Sequence, residues 1–489
     1  MGRIWSIVAN LLFVPVYLAH LGGEAYGLVV FYLTLFATIA ALDAGLGSVL
    51  TRQVSIRRFS NETGAARDFR ILDLARTVEI ILIGIAALIA TVILTIAPWI
   101  VNHWLNISSL SRSDATTSVR LMGVIVAVQW PAIAYQGALV GLERQVKLNV
   151  IRTGYAAVQS FCAAAVVAFA SGGVIEFFLI VLVSQFCCTL TLRWAMWRDL
   201  RHGSRTLGRF AMPAVMAEWR FGLGMASIGI LTALLTQTDK LIMSRAPLAE
   251  FSVYGIAATV CGLLGMLGYP IFSAVLPKLT RAVSNGENQL LERTYLLSCE
   301  VIAAFAVPAW AMLTFFPSEL MSLWIGAGVT ASKVSHILPI YGTGSLVNVL
   351  VTMPYALQVA SGWTSLSIKK NILAALCSVP LLLVVIPKWG AVGAAAVWVA
   401  INLGYLVFEV PIVHMRLFGS VKPYWWIRIV FLPMALASGS ALLLKATFGV
   451  PHQALMKIMV LVGEGLALMA IVSMSLSTIR SGIYKVLTR

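Results

Sequence analysis

Long apolar runs alternate with short polar connections along almost the whole chain. A helix that crosses the ~30 Å hydrocarbon core of a bilayer needs about 20 mostly apolar residues, and fourteen runs approach or exceed this length. No stretch between them is long enough for a soluble domain, so the pattern predicts an all-α polytopic membrane protein. The predicted spans are 4–20, 26–49, 78–100, 119–141, 150–170, 175–197, 221–243, 253–276, 295–316, 337–358, 371–387, 391–413, 428–447 and 454–477.

Short sequence motifs, called words here, recur in the two halves of the chain in the same order. Ala25-Tyr26-Gly27-Leu28 opens the second span, and Val253-Tyr254-Gly255-Ile256 opens the eighth. Gly172-Gly173-Val174 joins the fifth span to the sixth, and Gly390-Ala391-Val392 joins the eleventh to the twelfth. The matching words lie six spans apart, and because six is even the two copies have the same orientation. This predicts two six-helix bundles in a parallel repeat, with two extra helices at the C-terminus.

The repeat predicts a division of the chain into four parts. The connection between the bundles is the longest basic one, and its His202-Gly203-Ser204 and Pro213 suit a linker better than a helix interior. Two parallel bundles are typical of alternating-access transporters, so the architecture itself indicates transport. The predicted parts are an N-terminal bundle over 1–197, a basic cytoplasmic linker over 198–220, a C-terminal bundle over 221–413, and helices 13 and 14 with a cytoplasmic tail over 414–489.

Composition and charge support this picture. Hydrophobic residues make up 60% of the chain and charged residues 11%, whereas a soluble globular protein has about 25% charged residues. Water-soluble and disordered classes are therefore excluded. The 35 Lys and Arg outnumber the 19 Asp and Glu, and most of these cations fall in every second connection. That distribution follows the positive-inside rule, so it predicts two cytoplasmic termini and no nucleic-acid partner. Span-end arginines such as Arg76 and Arg193 favour anchoring at the membrane interface.

Polar residues inside apolar spans are costly, and they are therefore candidates for function. A structural ion pair or helix cap is as good an interpretation as a functional role for Asp43 and for the Asp239–Lys240 pair. Glu409 fits a proton relay or a contact between bundles equally well. The uncharged polar residues either line a wet cavity or form hydrogen bonds across helices. They are Asn10, Gln129, Gln136, Gln185, Gln237, Asn348 and Asn402.

Sequence signatures of catalysis are absent. The chain contains no G-x-x-x-x-G-K-[ST] loop for nucleotide hydrolysis, no H-E-x-x-H zinc motif and no G-x-S-x-G nucleophile elbow. The Cys and His residues show no spacing typical of metal ligands. We therefore expect a protein that is not an enzyme and has no metal or other cofactor, apart from a coupling proton or sodium ion.

Three segments share their motifs with one family of membrane proteins. The first contains Val14-Pro15-Val16-Tyr17-Leu18 and Leu21-Gly22-Gly23-Glu24-Ala25-Tyr26-Gly27-Leu28, followed by Leu42-Asp43-Ala44-Gly45-Leu46-Gly47 and Thr51-Arg52. The second is Thr236-Gln237-Thr238-Asp239-Lys240-Leu241-Ile242 with Tyr254-Gly255, and the third is Trp389-Gly390-Ala391-Val392-Gly393-Ala394. Together they resemble the Wzx-type oligosaccharide-lipid flippases of the MATE-like multidrug/oligosaccharidyl-lipid/polysaccharide (MOP) exporter superfamily.

This resemblance implies a V-shaped pair of bundles in the bacterial inner membrane. The implied substrate is undecaprenyl-pyrophosphate bearing an oligosaccharide repeat unit, flipped to the periplasmic leaflet by alternating access for O-antigen or exopolysaccharide assembly. The polyprenyl tail can remain in the lipid, so only the sugar and the diphosphate need a wet path. Besides this substrate and membrane lipid, the implied partners are a polysaccharide polymerase and a chain-length regulator.

The same resemblance suggests where the diphosphate binds. A diphosphate calls for cations, ideally arginine forks that make charge-assisted hydrogen bonds. Acids near those cations are expected to hold them in place or to exchange a proton or sodium ion. The expected substrate-binding residues are Arg52, Arg152, Lys240 and Gln237. The expected ion-coupling or ion-pair residues are Asp43, Asp239 and Glu409.

Two other classes of protein stay open at this point. A MATE-type proton- or sodium-coupled multidrug antiporter would share the architecture but need buried acids for organic cations, and the spans contain both acids and cations. A membrane glycosyltransferase or polymerase would be expected to have a large extramembrane loop with clustered acids, which this sequence lacks.

Overall fold

The protein is almost entirely helical in the computed structural model. The model describes residues 2–41, 45–59, 65–170, 172–201, 208–363, 365–420, 422–448 and 453–476. Within these ranges there is no β-strand, only an isolated bridge between Asn106 and Pro247. The predicted all-α class is therefore confirmed.

The chain forms two compact units, Met1–Ser252 and Val253–Arg489, and the boundary between them lies within one long helix, α10. The helices that lie wholly in the first unit are α1 (Gly2–Ala41), α2 (Leu46–Phe59), α3 (Ala65–Trp99), α4 (Arg112–Gln129), α5 (Ala132–Gly141), α6 (Gln145–Phe169), α7 (Val174–Arg201), α8 (Met212–Met216) and α9 (Trp219–Met243). A π-helical segment, π1 (Ile100–Trp104), follows α3.

The second unit continues the helical pattern. Its helices are the larger part of α10 (Leu248–Ser284), then α11 (Asn288–Phe315), α12 (Pro317–Trp324), α13 (Val329–Leu350), α14 (Thr352–Ala360), α15 (Ser365–Gly404), α16 (Val410–Phe418), α17 (Pro423–Trp425), α18 (Leu432–Phe448) and α19 (Ala454–Ser475). Two further π-helical segments are π2 (Tyr405–Glu409) and π3 (Trp426–Phe431).

Packing assigns α9 to the first unit, because α9 contacts α1 and α2. The division between the compact units thus falls after the seventh predicted span, whereas the sequence prediction placed the join between the bundles at 198–220. Compact units and repeated bundles need not coincide. The four predicted parts, 1–197, 198–220, 221–413 and 414–489, stay a prediction.

Within the described residues, twelve helical segments are long and apolar enough to cross a membrane. The chain is therefore a multi-pass membrane protein. The difference from the fourteen predicted spans arises at two places. Helix α1, of 40 residues, covers the predicted span 4–20 and most of 26–49. The segment Ser365–Phe418, of 54 residues, covers 371–387 and 391–413.

One glycine breaks the helical backbone in each of these two long elements. Gly22 has φ 80° and ψ 168°, and Gly390 has φ 52° and ψ −135°. An L-residue with a side chain adopts such angles only under strain. The chain reverses direction at Gly390. Close to this turn Val385 lies against Gly393, and farther from it Lys370 contacts Glu409. The two arms of α15 therefore run antiparallel, and the second arm continues into π2.

We expect Gly390→Ala to destabilise the protein, because alanine at φ 52° adds backbone strain of about 1–3 kcal/mol. The midpoint of thermal unfolding of the purified protein should fall. The matched control is Gly404→Ala in the same helix, where an added Cβ meets no heavy atom within 4 Å. Equal unfolding midpoints for the two variants would show that Gly390 is not required at the turn.

The core of the second unit joins aromatic and polar side chains of α11, α16 and α17. Tyr295 and His414 are hydrogen-bonded at 2.8 Å, and both are buried. Trp425 is also buried and donates its indole N–H to Cys299 Sγ at 3.3 Å. This core packs one side of α16, the helix that follows the π2 segment, and so helps to position Glu409.

Candidate substrate cavity and buried charge sites

A polar cavity of 280 Å³ lies within the first unit and is lined by α1, α4, α5, α6 and α7. Its volume is just below the range for ligand pockets, about 300–1,000 Å³. Among the described residues that line it there is neither Asp nor Glu, and Arg152 is the charged residue. This cavity is called the Arg152 cavity below. The polar lining residues are Tyr32, Gln129, Gln136, Arg152, Tyr155, Gln159, Ser160, Gln185 and Thr189.

Helical spacing explains how otherwise apolar helices supply this lining. Arg152, Tyr155 and Gln159 are three and seven residues apart, so α6 presents them on one face. Gln185 and Thr189 are four residues apart on α7 and form a second polar stripe. The two stripes meet, since Gln185 Nε2 donates a hydrogen bond to Gln159 Oε1 at 2.7 Å.

Another glutamine of the cavity is held from α1 but keeps an unused acceptor. Gln129 Nε2 donates to the Tyr32 hydroxyl at 3.0 Å. Gln129 Oε1 is buried and has no hydrogen-bond partner within the described part of the chain. An unpaired buried carbonyl oxygen costs free energy, so it is a natural acceptor for a donor on a ligand.

The uncharged polar residues adopt both roles that the sequence left open. Gln129, Gln136 and Gln185 line the cavity, and two of them also bond across helices. Asn348 and Asn402, in the second unit, bond directly to each other between α13 and α15 at 2.8 Å. Gln159 was not identified from the sequence, although its spacing from Arg152 on the same helix was a usable signal.

Of the predicted substrate-binding residues, Arg152 lines the cavity and Arg52 does not. Arg52 lies on α2, where Nη1 donates to Glu218 Oε2 at 2.7 Å. Its guanidinium carbon also lies 5.0 Å from the centre of the Phe221 ring. Arg52 therefore ties α2 to the start of α9.

Gln237, Asp239 and Lys240 lie together in the last two turns of α9 and are all partly buried. Gln237 Nε2 donates to Thr236 Oγ1 at 3.2 Å, and Lys240 Nζ donates to the Thr236 carbonyl at 3.3 Å. None of the three is a described lining residue of the Arg152 cavity. The predicted Asp43 lies outside the described residues.

Glu409 forms a separate buried charge site in the second unit. It ends π2 and is 2% exposed. Lys370 Nζ lies 2.5 Å from Glu409 Oε1, and Gln358 Nε2 donates to the same oxygen. Glu409 Oε2 is buried with no hydrogen-bond partner within the described ranges. Lys370 lies in the connection between the tenth and eleventh predicted spans, and the structure pairs it with an acid inside the fold.

The aromatic rings around Lys370 complete this site. Its Nζ lies 4.7 Å from the centre of the Tyr405 ring and 5.4 Å from that of Tyr355, distances typical of cation–π contacts. Ser367 Oγ donates to Gln358 Oε1 at 2.9 Å and so orients the amide toward Glu409. The π-helical turn that places Glu409 here has no signal in the local sequence, although such turns are frequent at functional sites.

A further buried acid, Glu79 on α3, was not identified from the sequence. Glu79 is fully buried and accepts hydrogen bonds from four side chains of the first unit. The donors are Arg76 Nη1 at 2.8 Å, Arg193 Nε at 2.7 Å, Tyr135 Oη at 2.9 Å and Trp197 Nε1 at 3.4 Å. Arg76 and Arg193, which the sequence favoured as interface anchors, are thus paired with a common carboxylate.

Solved structures of several membrane transporters share this fold. The Lipid II flippase MurJ in an inward closed conformation aligns with a TM-score of 0.74 and 12% identity, over 100% of this chain and 98% of that chain. An inward-facing multidrug resistance MATE family transporter of the MOP superfamily gives 0.67 and 15%, over 86% and 95%. A MOP superfamily transporter from Pyrococcus furiosus, with a binding pocket of reverse polarity, gives 0.52 and 15%, over 86% and 93%.

The fold of this multi-pass membrane protein is the MurJ- and MATE-like transporter fold. The chain belongs to the polysaccharide biosynthesis protein family, whose sequence model matches residues 18–331. This confirms the resemblance to Wzx-type flippases of the MOP superfamily. The matched region includes the Arg152 cavity and ends before Lys370 and Glu409. No curated protein sequence matches the chain significantly.

Proposed function

We propose that the protein flips undecaprenyl-pyrophosphate-linked oligosaccharide repeat units across the bacterial inner membrane by alternating access. The repeat units would serve O-antigen or exopolysaccharide assembly. The observation that supports this substrate best is the Arg152 cavity, which combines one cation with amide and hydroxyl groups and has no described acid. Arg152 suits a diphosphate, since a guanidinium makes charge-assisted, bidentate bonds to phosphate oxygens.

The amides of the same cavity suit the sugar. Gln129, Gln136, Gln159 and Gln185 present both donors and acceptors, as sugar hydroxyls require. Trp130, which also lines the cavity, offers an apolar face for a sugar ring. An organic cation would instead need an accessible acid, and Glu79, the buried acid among the described residues of this unit, is already paired with two arginines. The electrostatics of the first unit thus favour an anionic glycolipid over a cationic drug.

The remaining predicted residues act along the transport path in this proposal. Arg52, Lys240 and Gln237 supply further contacts to the diphosphate as the substrate moves. Asp43, Asp239 and Glu409 hold cations in place or exchange the coupling ion, a proton or sodium. Glu409 suits exchange best, because its Oε2 has no hydrogen-bond partner among the described residues, while its Oε1 is bound by Lys370 and Gln358. Flipping measured in vesicles under an imposed proton or sodium gradient distinguishes the two ions.

The proposed topology has fourteen spans with both termini in the cytoplasm. A straight helix of 40 residues, the length of α1 or α15, would be ~60 Å long, twice the ~30 Å hydrocarbon core. The breaks at Gly22 and Gly390 therefore suit two crossings each. Equivalent positions of the sequence repeat support two six-helix bundles. Tyr26 and Tyr254 are equivalent in the repeat and are both buried. The connection between α6 and α7 is equivalent in the repeat to the turn at Gly390. A polysaccharide polymerase and a chain-length regulator are the proposed protein partners.

Deleting the gene in its host should block surface polysaccharide and trap lipid-linked repeat units on the cytoplasmic side of the inner membrane. Both changes follow because the sugar and diphosphate cannot cross hydrocarbon unaided. The measurements are surface glycan by gel electrophoresis and the sidedness of labelled lipid-linked intermediates in membrane vesicles. Complementation with the intact gene should reverse both.

A deletion strain with normal surface glycan and altered dye efflux would refute the proposal and favour a multidrug antiporter. Loss of repeat-unit synthesis, without accumulation of the finished lipid-linked unit, would instead favour a glycosyltransferase. The position at which the pathway stops therefore separates the three classes of function.

A further inference from the structure

An apolar groove runs along the surface of the second unit between the two arms of the α15 hairpin. It has a volume of 430 Å³. One wall is a stripe of the first arm from Leu366 to Leu381, and the other is a stripe of the second arm and its continuation from Ala400 to Ile412. Leu373 and Phe408 on its walls are 63% and 70% exposed. Large apolar side chains with this exposure on a membrane-spanning helix suit contact with lipid.

Charge is confined to one end of this groove. Lys369 and Lys370 lie near the start of the first arm, opposite Glu409 at the end of π2. The described lining thus has one net positive charge. Lys369 is exposed and makes no ion pair with any described residue. At the same end of the hairpin, the Arg416 guanidinium stacks 4.0 Å from the centre of the Trp363 ring, and cations beside tryptophan are typical of the headgroup region.

The apolar part of the groove has the depth of one leaflet. From Lys370 to Leu381 the first arm rises about 16 Å, roughly half of the ~30 Å hydrocarbon core. Cationic side chains at the interface attract anionic lipid headgroups, whereas a neutral or zwitterionic headgroup gains little. We propose that the groove binds one acyl chain of an anionic glycerophospholipid, with the lipid phosphate held by Lys369 and Lys370.

Length distinguishes this lipid from the polyprenyl carrier. A phospholipid acyl chain spans one leaflet, as the groove does, while an undecaprenyl tail is more than twice as long and would leave more than half of its length outside. The site is also in the second unit and does not include Arg152. The inference is therefore independent of the substrate proposed for the first unit.

Native mass spectrometry of the purified full chain tests the site with three probes: phosphatidylglycerol, phosphatidylcholine with the same acyl chains, and undecaprenyl phosphate. The unaltered protein should retain phosphatidylglycerol in preference to phosphatidylcholine. Lys369→Ala should weaken phosphatidylglycerol binding about fivefold, the effect expected for one lysine near an anionic headgroup. The control Lys388→Ala, at the opposite end of the same arm, should leave binding unchanged.

A second pair of variants tests the acyl-chain groove itself. Gly404→Phe should fill the groove and reduce phosphatidylglycerol retention, because a Cβ at Gly404 meets no heavy atom within 4 Å and the ring can enter the open space. Gly439→Phe on α18 is the control, since Gly439 is equally open and does not line the groove. Ala400→Phe fills the same groove from an exposed lining position if Gly404→Phe does not fold.

Two results would overturn the inference. Equal phosphatidylglycerol retention by Lys369→Ala and Lys388→Ala would show that the charged end does not bind the phosphate. A groove-filling variant that loses undecaprenyl phosphate but keeps phosphatidylglycerol would assign the groove to the carrier tail.

Discussion

Arg152→Ala should reduce export of the lipid-linked repeat unit about tenfold to a hundredfold, the loss expected when charge-assisted hydrogen bonds worth ~1.5–3 kcal/mol are removed. Arg152 is the charged side chain in a cavity whose other described polar residues are neutral, so nothing else there replaces its charge. The measurement is surface glycan in the deletion strain complemented with the variant, normalised to the amount of protein in the membrane.

Two further variants separate charge from geometry and from general damage. Arg152→Lys keeps the charge but not the planar fork, so partial export is expected. Arg120→Ala is the matched control, because Arg120 is exposed on α4 and is not a described lining residue of the cavity. Normal export by Arg152→Ala at normal expression would remove this residue from the substrate site and with it the main support for an anionic substrate.

Glu79→Ala should destabilise the first unit more than the loss of any other described acid there. The variant removes the acceptor shared by Tyr135 and Trp197, which are both buried, and by Arg76 and Arg193. Each buried donor left without a partner costs about 1–3 kcal/mol. The two arginines are partly exposed, so water satisfies part of their loss. The expected result is a clear fall in the midpoint of thermal unfolding of the purified protein.

Comparison with two other acidic variants makes this result specific. Glu79→Gln keeps one acceptor oxygen at the same place and should lose less stability than Glu79→Ala. Glu218→Ala breaks the more exposed Arg52–Glu218 pair, which as a surface ion pair contributes about 0–1 kcal/mol. If Glu79→Ala unfolds at the same temperature as Glu218→Ala, the hydrogen bonds to Glu79 do not stabilise the unit.

The sites differ in how much of each could be predicted from the sequence. The polar lining of the cavity could be predicted in part, because a polar residue inside an apolar span is conspicuous and few environments accept it. Gln129, Gln136 and Gln185 were identified in this way, and Arg152 was identified by resemblance. Whether such residues line a cavity or bond to each other could not be predicted, since that depends on how each helix is rotated against its neighbours. The structure shows both outcomes, with the glutamines in the cavity and Asn348 bonded to Asn402.

The buried ion pairs could not be predicted from the sequence. Glu79 and Arg193 come from α3 and α7, and Glu409 meets Lys370 only because the chain reverses at Gly390. At the sequence level, an arginine or lysine near a span end has the same appearance whether it anchors the protein at the interface or reaches inward to an acid. Arg76 and Arg193 were accordingly assigned to anchoring, and their acidic partner, like that of Lys370, was identified only in the folded chain.

The sequence by itself determined that this chain is a helical, multi-pass membrane protein, and it indicated the family. Both follow from local features of the chain: hydrocarbon requires long apolar helices, and the motifs that indicate the family are short and each lies within a single segment. The tertiary structure decided which polar residues share a cavity, which acids are neutralised by cations, and where two antiparallel arms leave a groove. These outcomes depend on the rotation and neighbours of each helix. A change of about 100° in rotation, the step of one residue along a helix, exchanges a buried face for an exposed one without altering the apolar pattern.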